Sequence, residues 1–111
     1  MKLLHVVTKD TRNNDSVGLG FLERIGYVPC CTEETLKYVL QHYLLKNSIQ
    51  ELYIVEIDSK IIDSEIKWDE WNDSGHIYPH VYGVINADAI FSVCPVQNYL
   101  LSMGKEVIGV E

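Results

Sequence analysis

The chain has 111 residues, of which 47% are hydrophobic and 23% charged, so a disordered, fibrous or disulfide-scaffold protein is a poor fit. We expect one folded domain over residues 1–111. The formal net charge of -7, without a local stripe of Lys and Arg, argues against nucleic acid as a partner. A small anionic ligand is still compatible with this charge, because one Arg or a helix N-terminus can hold a phosphate.

The first residues and the cysteines bear on the compartment. Charged Lys9 and Asp10 come too early for the apolar stretch of a signal peptide, and no run is long enough to cross a membrane. Three cysteines, with Cys30 and Cys31 adjacent, do not form the pattern of a secreted disulfide framework. The sequence therefore predicts a cytoplasmic protein with no membrane contact.

The first third of the chain predicts a strand, a weak helix and an extended segment. Residues 3–8 are apolar and rich in β-branched types, which favours a strand. A helix or irregular turn follows over residues 16–25, starting at Ser16, weakened by Gly18 and Gly20 and closed by Gly26. Residues 27–31 are predicted to be extended.

One main helix is predicted over residues 33–46. Thr32 is suited to the helix start, and Glu33 and Glu34 are favourably placed against the helix dipole. Apolar residues then recur at helical spacing: Leu36, Val39, Leu40, Tyr43 and Leu44.

The remaining elements make the fold class α+β. Strands are predicted over residues 52–57, 66–69 and 89–93, a helix over 98–103 and a last strand over 107–110. Residues 71–75 form a polar loop that leads into the segment Tyr78-Pro79-His80-Val81-Tyr82-Gly83. Because strands and helices do not alternate regularly, we predict a mixed α+β fold around one core.

The hexapeptide that begins at Tyr78 is the leading candidate site. Pro79 restricts the backbone and Gly83 permits close approach of a ligand, so both tyrosines and His80 would be held in defined directions. From residue types alone a structural interpretation is favoured, in which Tyr78 and Tyr82 pack in the core and His80 is simply hydrogen-bonded.

Other reactive side chains are scattered along the chain. His5 lies in an apolar strand and would either be satisfied there or point into a cleft. Asp69 and Glu70 form a solvated acidic rim or supply a general base beside Trp68. Cys31 is either a buried small hydrophobic residue or part of a cleft wall. The histidines lack the spacing of a metal motif, so no metal is predicted.

Three segments together resemble a family of bacterial proteins known as domain of unknown function family 952. They are Leu4-His5-Val6-Val7, the stretch 26–32, and Lys67-Trp68-Asp69 with the hexapeptide at 78–83. The resemblance covers roughly residues 3–95. Pro29 stands where the family has a histidine, and Asp69 stands where the family has Glu.

The resemblance implies the fold of ADP-ribosyltransferases, with two small sheets about a cleft that holds NAD in active relatives. His5 would then contact the nucleotide, and an acid, Asp69 or Glu70, would orient the attacking group. The catalytic residues expected in this way are His5, His80, Asp69 and Glu70. The expected ligand contacts are Tyr78, Tyr82, Gly83 and Cys31.

Two functions follow as hypotheses. In the first, an enzyme binds or processes a nucleotide or an ADP-ribose-like ligand in a cleft around His5 and His80, with NAD as the cofactor that the resemblance implies. In the second, a non-catalytic module on the same fold binds a small molecule or a protein, as the replacement of the family histidine by Pro29 favours. The sequence does not indicate an oligomeric state.

Overall fold

Two three-stranded antiparallel sheets organise the molecule in a computed structural model that describes residues 1–9, 17–71 and 74–104. In the first sheet, β1 (Lys2–Thr8) pairs with β3 (Leu52–Asp58), and β3 pairs with β6 (Ile90–Pro95). The order β1-β3-β6 leaves β1 free to contact the second sheet along its other edge.

The second sheet has the order β2-β5-β4, with β2 at Val28–Pro29, β5 at Ile77–Tyr82 and β4 at Glu65–Glu70. A bridge joins it to β1, because Leu4 N donates to the Cys31 carbonyl at 2.8 Å and Cys31 N donates to the Leu4 carbonyl at 2.7 Å. The sheets therefore meet where β1 passes the end of β2.

Three α-helices complete the described part: α1 (Leu19–Ile25), α2 (Leu36–Tyr43) and α3 (Val96–Ser102). Successive residues of β1 point to opposite faces, so Leu4 and Val6 enter one hydrophobic cluster and Leu3 and Val7 enter another. The chain is a small mixed α+β domain with two antiparallel sheets, as predicted. In the described ranges no helix is long and apolar enough to cross a membrane.

Most predicted elements are confirmed with small changes at their ends. The strands over residues 3–8, 52–57, 66–69 and 89–93 correspond to β1, β3, β4 and β6. The weak helix is α1; Gly18 precedes it and Gly26 closes it, both with positive φ. At Gly18 a Cβ would overlap the Val28 side chain, so packing requires this glycine. Ser16 and the predicted strand over 107–110 lie outside the described residues.

The predicted bounds of the main helix were wrong, because α2 begins at Leu36 and ends at Tyr43 rather than spanning residues 33–46. At its start, the Thr35 hydroxyl accepts a hydrogen bond from Thr32 N at 3.1 Å, which forms a turn before the helix. The Glu33 carboxylate accepts hydrogen bonds from Lys2 Nζ at 3.1 Å and from the Tyr99 hydroxyl at 2.9 Å. At its end, the Tyr43 carbonyl accepts from both nitrogens of Asn47, and the chain leaves the helix in turns.

The hexapeptide forms most of β5, a central strand that the sequence did not predict. Pro79 is tolerated there because its carbonyl is the group that β2 uses, accepting from Cys30 N at 2.9 Å. Successive residues of a strand point to opposite faces, so Tyr78, His80 and Tyr82 lie on the same face of β5. This shared face determines the geometry of the site.

Candidate functional site

A cavity of about 370 Å³ lies between the two sheets and the helices α1 and α2. We call it the large cavity. Its walls are mostly apolar or aromatic: Leu4, Val6, Phe21, Pro29, Cys30, Cys31, Val39, Tyr43, Trp71 and Tyr78. The polar side chains that reach it are Arg24, His42, Lys46, Asn47 and His80. Two predicted ligand contacts, Tyr78 and Cys31, and one predicted catalytic residue, His80, therefore share one space.

His80 is held at the buried side of the large cavity by a carboxylate from the neighbouring strand. Its side chain is nearly inaccessible, and Nδ1 lies 3.1 Å from Asp69 Oδ2. A carboxylate accepts hydrogen bonds, so Nδ1 carries the proton and Nε2 keeps its lone pair. His80 lines the large cavity, whereas Asp69 does not. In enzymes, a carboxylate at Nδ1 often orients a histidine that acts as a general base.

One tyrosine contacts His80, and another contacts its partner Asp69. The Tyr27 ring stacks on the imidazole with centroids 4.1 Å apart and planes 15° apart. The Tyr82 hydroxyl donates to the same Asp69 oxygen at 3.3 Å, so Tyr82 supports the acid and does not line either described cavity. Burial lowers the pKa of His80, whereas the hydrogen bond and the charge of Asp69 act in the opposite direction.

His5 lines a second, smaller cavity of about 220 Å³. We call it the small cavity, and four residues line both spaces: Val6, Phe21, Arg24 and Tyr43. His5 Nδ1 donates to the Pro29 carbonyl at 2.8 Å, so Nε2 is again the nitrogen without a proton. Here Nε2 is buried and has no hydrogen-bond partner within the described residues. Burial lowers the pKa of His5, and the Pro29 carbonyl only partly opposes this.

Three basic side chains surround the mouth of the large cavity: Arg24 from α1, His42 from α2 and Lys46 just beyond α2. All three are exposed. Arg24 Nε donates to the Gly20 carbonyl at 3.1 Å, which holds the guanidinium near the Phe21 ring. No Asp or Glu of the described ranges lines either cavity, although the chain has 16 acidic residues and 9 Lys and Arg. The local potential should therefore favour anions.

The two adjacent cysteines are unreactive in this setting. Burial raises the pKa of the Cys31 thiol from 9.0 to about 12, and burial together with Cys31 raises the pKa of Cys30 further. Both residues are therefore thiols at neutral pH, and a thiol is a weak nucleophile. Of the two predicted alternatives for Cys31, burial and a place in the cleft wall are both observed.

Two other candidates, Glu70 and Gly83, lie away from both cavities, as does His76. Glu70 points to the face of β4 opposite Asp69 and accepts a hydrogen bond from Gly75 N at 2.9 Å, so it does not share the position of Asp69. The close approach predicted at Gly83 is made by Ser64, whose side chain a Cβ at residue 83 would overlap. His76 stacks on Tyr38 with centroids 4.0 Å apart. Within the described part, no three His, Cys, Asp or Glu side chains gather in a way that could hold a metal ion.

The sequence did not identify Tyr27, Arg24, Lys46 or Trp71 as part of the site. Trp71 packs against His42 and Tyr78, with ring centroids 5.1 Å and 5.7 Å apart and ring planes nearly perpendicular in both pairs. The only local signal was the presence of Arg24 near the end of a weak helix in an acidic chain, and that signal does not specify a partner.

Comparisons with known proteins agree with this architecture. A family model described as Protein of unknown function (DUF952) matches residues 7–93. The chain belongs to this family. The matched range includes β4 and β5, which bring Asp69 and His80 together. No curated protein matches the chain.

The DUF952 chain is also similar in structure to protein CC0527 from Caulobacter crescentus, solved by X-ray crystallography. The TM-score is 0.68 at 10% identity, over 92% of this chain and 99% of that one. A double mutant of the same protein gives the same values. At this identity the likeness shows the fold alone.

Proposed function

We propose that this protein binds a small anionic, nucleotide-like ligand in the large cavity and uses His80 to exchange a proton with it. The proposal rests on which polar side chains line the large cavity. An acidic chain presents Arg24, Lys46 and two histidines there, and no carboxylate among its described residues. Such a distribution concentrates positive charge where a phosphate would enter.

The walls and volume of the large cavity support a ligand with a planar part. Phe21, Tyr43, Trp71 and Tyr78 provide aromatic surface, and about 370 Å³ lies within the usual range for small-molecule sites. Arg24 lines both cavities, and the small cavity also reaches His5. In this proposal, the unpaired Nε2 of His5 accepts a hydrogen bond from a ligand hydroxyl. An ADP-ribose-like ligand, or NAD as the resemblance to ADP-ribosyltransferases implies, would extend into both spaces.

In the catalytic form of the proposal, His80 Nε2 accepts a proton from water or from a ligand hydroxyl. Asp69 does not touch the ligand; it orients the ring through Nδ1 and stabilises the imidazolium that forms. The Tyr27 ring, stacked on the imidazole, favours the same charge.

The cysteines favour the second candidate, a non-catalytic binding module. Cys30 and Cys31 are the thiols that line the large cavity, and their raised pKa values leave them without nucleophilic character at neutral pH. Asp69 is engaged by His80 and Tyr82, so it does not supply the ligand-contacting acid that transferase chemistry requires. In this candidate the ligand binds without being changed.

Titration calorimetry with AMP tests the anionic class of ligand, with adenosine as the uncharged comparison. We expect AMP to bind at least tenfold more tightly than adenosine, because only AMP carries the phosphate that the mouth attracts. The double variant Arg24→Gln/Lys46→Gln should lose about tenfold in AMP affinity, or about 1.4 kcal/mol.

The matched control is Lys37→Gln/Lys60→Gln, which removes the same net charge from exposed sites outside the cavities. Its AMP affinity should equal that of the wild type. The proposal is overturned if millimolar AMP, ADP-ribose and NAD all fail to bind, or if adenosine binds as well as AMP.

A further inference from the structure

Two buried side-chain polar atoms in the described ranges have no hydrogen-bond partner: His5 Nε2 and the Tyr78 hydroxyl. Only 2% of Tyr78 is exposed, and its surroundings are apolar or aromatic. A buried hydroxyl without a hydrogen bond destabilises the folded protein, so native structures rarely keep one without a reason. Burial raises the pKa of Tyr78, and the group therefore keeps its proton and needs an acceptor.

The position of Tyr78 relates this unsatisfied group to the ligand. Tyr78 lines the large cavity beside Trp71, whose ring is perpendicular to it at 5.7 Å. Tyr78 and His80 are two residues apart on one face of β5, roughly 7 Å along the strand. A ligand that reaches His80 Nε2 would therefore lie next to Tyr78.

We propose that the Tyr78 hydroxyl donates a hydrogen bond to an uncharged acceptor, a ring nitrogen or carbonyl oxygen, on the planar part of the ligand. This inference rests on the proposed function and narrows the ligand class. The basic mouth attracts the anionic part, whereas Tyr78 selects a base-bearing nucleotide over a simple sugar phosphate. A site that leaves a buried donor unsatisfied disfavours ligands that lack the acceptor.

Tyr78→Phe tests the inference because it removes the hydroxyl and keeps the ring. Calorimetry with AMP and with ribose 5-phosphate compares a ligand with the base and one without it. The variant should weaken AMP binding about five- to tenfold and leave ribose 5-phosphate unchanged. Without ligand, its thermal midpoint should equal or exceed that of the wild type, because the unsatisfied hydroxyl is gone.

Tyr38→Phe is the control, since Tyr38 lies outside both cavities and stacks on His76; it should change neither affinity. A lower midpoint for unliganded Tyr78→Phe would show that the hydroxyl has a structural partner and would overturn the inference. Unchanged AMP affinity in Tyr78→Phe would overturn it too, while the proposed function stands. If AMP does not bind the wild type, the proposed function fails and this inference fails with it.

Discussion

The molecule holds two buried histidines in similar hydrogen bonds but with different neighbours. Both donate from Nδ1 and leave Nε2 without a proton; His5 donates to the neutral Pro29 carbonyl and His80 to the Asp69 carboxylate. His5 lines the small cavity and its buried Nε2 has no partner among the described residues, whereas His80 lines the large cavity.

The charge of the Nδ1 partner determines what each ring can do. An imidazolium at His80 would be stabilised by Asp69 and by the stacked Tyr27 ring. An imidazolium at His5 would meet the Pro29 carbonyl dipole and the Phe21 ring, and no described carboxylate lines the small cavity with it. We therefore expect Nε2 to be protonated more readily at His80 than at His5.

The largest difference is expected in turnover, if the catalytic form of the proposal holds. His80→Gln should reduce the rate of NAD or ADP-ribose conversion by about 10²- to 10⁴-fold, the usual contribution of a general base. His5→Asn should mainly weaken binding. Product formation followed by NMR, beside calorimetric affinities, separates the two effects. Recovery of unchanged ligand with the wild type would instead support the binding module.

The next difference concerns stability at acidic pH. The unfolded chain protonates His5 near pH 6.5, while burial lowers the pKa of the folded group, so protonation favours unfolding. Stability is therefore complete above pH 6.5 and falls below it, by at most about 1.4 kcal/mol per pH unit for this one group. His5→Asn keeps a donor for the Pro29 carbonyl and removes the titration.

Urea denaturation of wild type, His5→Asn and His80→Asn between pH 5 and 7.5 measures these slopes. His5→Asn should flatten the slope below pH 6.5 more than His80→Asn, because Asp69 partly offsets the lowered pKa of His80. Equal slopes in the two variants would show that the partner's charge does not distinguish the two rings.

The sequence could predict some elements of the fold and not others. β1 and β3 were predictable because each is a short apolar run bounded by polar turns. β5 was missed because Pro79 normally argues against a central strand, and only tertiary pairing shows that its missing N–H is not needed there. The start of α2 was placed too early because Thr32 and Thr35 form a hydrogen-bonded turn before the helix.

The site was predictable only where one strand carries it. Tyr78 and His80 share a face of β5 through the two-residue alternation that the sequence already displays. The choice of Asp69 over Glu70 depends on the register between β4 and β5, because a shift of one residue would exchange their faces. The meeting of Arg24 with Lys46 depends on how α1 and α2 pack, which no local pattern specifies.

The smallest expected effect tests the assignment of Asp69 directly. Asp69→Asn keeps a carbonyl oxygen that can accept from His80 Nδ1 and removes the negative charge. The stability cost at pH 7 should be below about 1 kcal/mol, since the carboxylate is partly exposed and the hydrogen bond is kept. The pKa of His80 should fall further, because the charge that opposed desolvation is lost.

Glu70→Gln is the matched control, since Glu70 lies on the opposite face of β4. NMR titration of the His80 ring should show the downward shift in Asp69→Asn and no change in Glu70→Gln. A downward shift of equal size in both variants would mean that general surface charge, rather than the Asp69 contact, supports the His80 imidazolium.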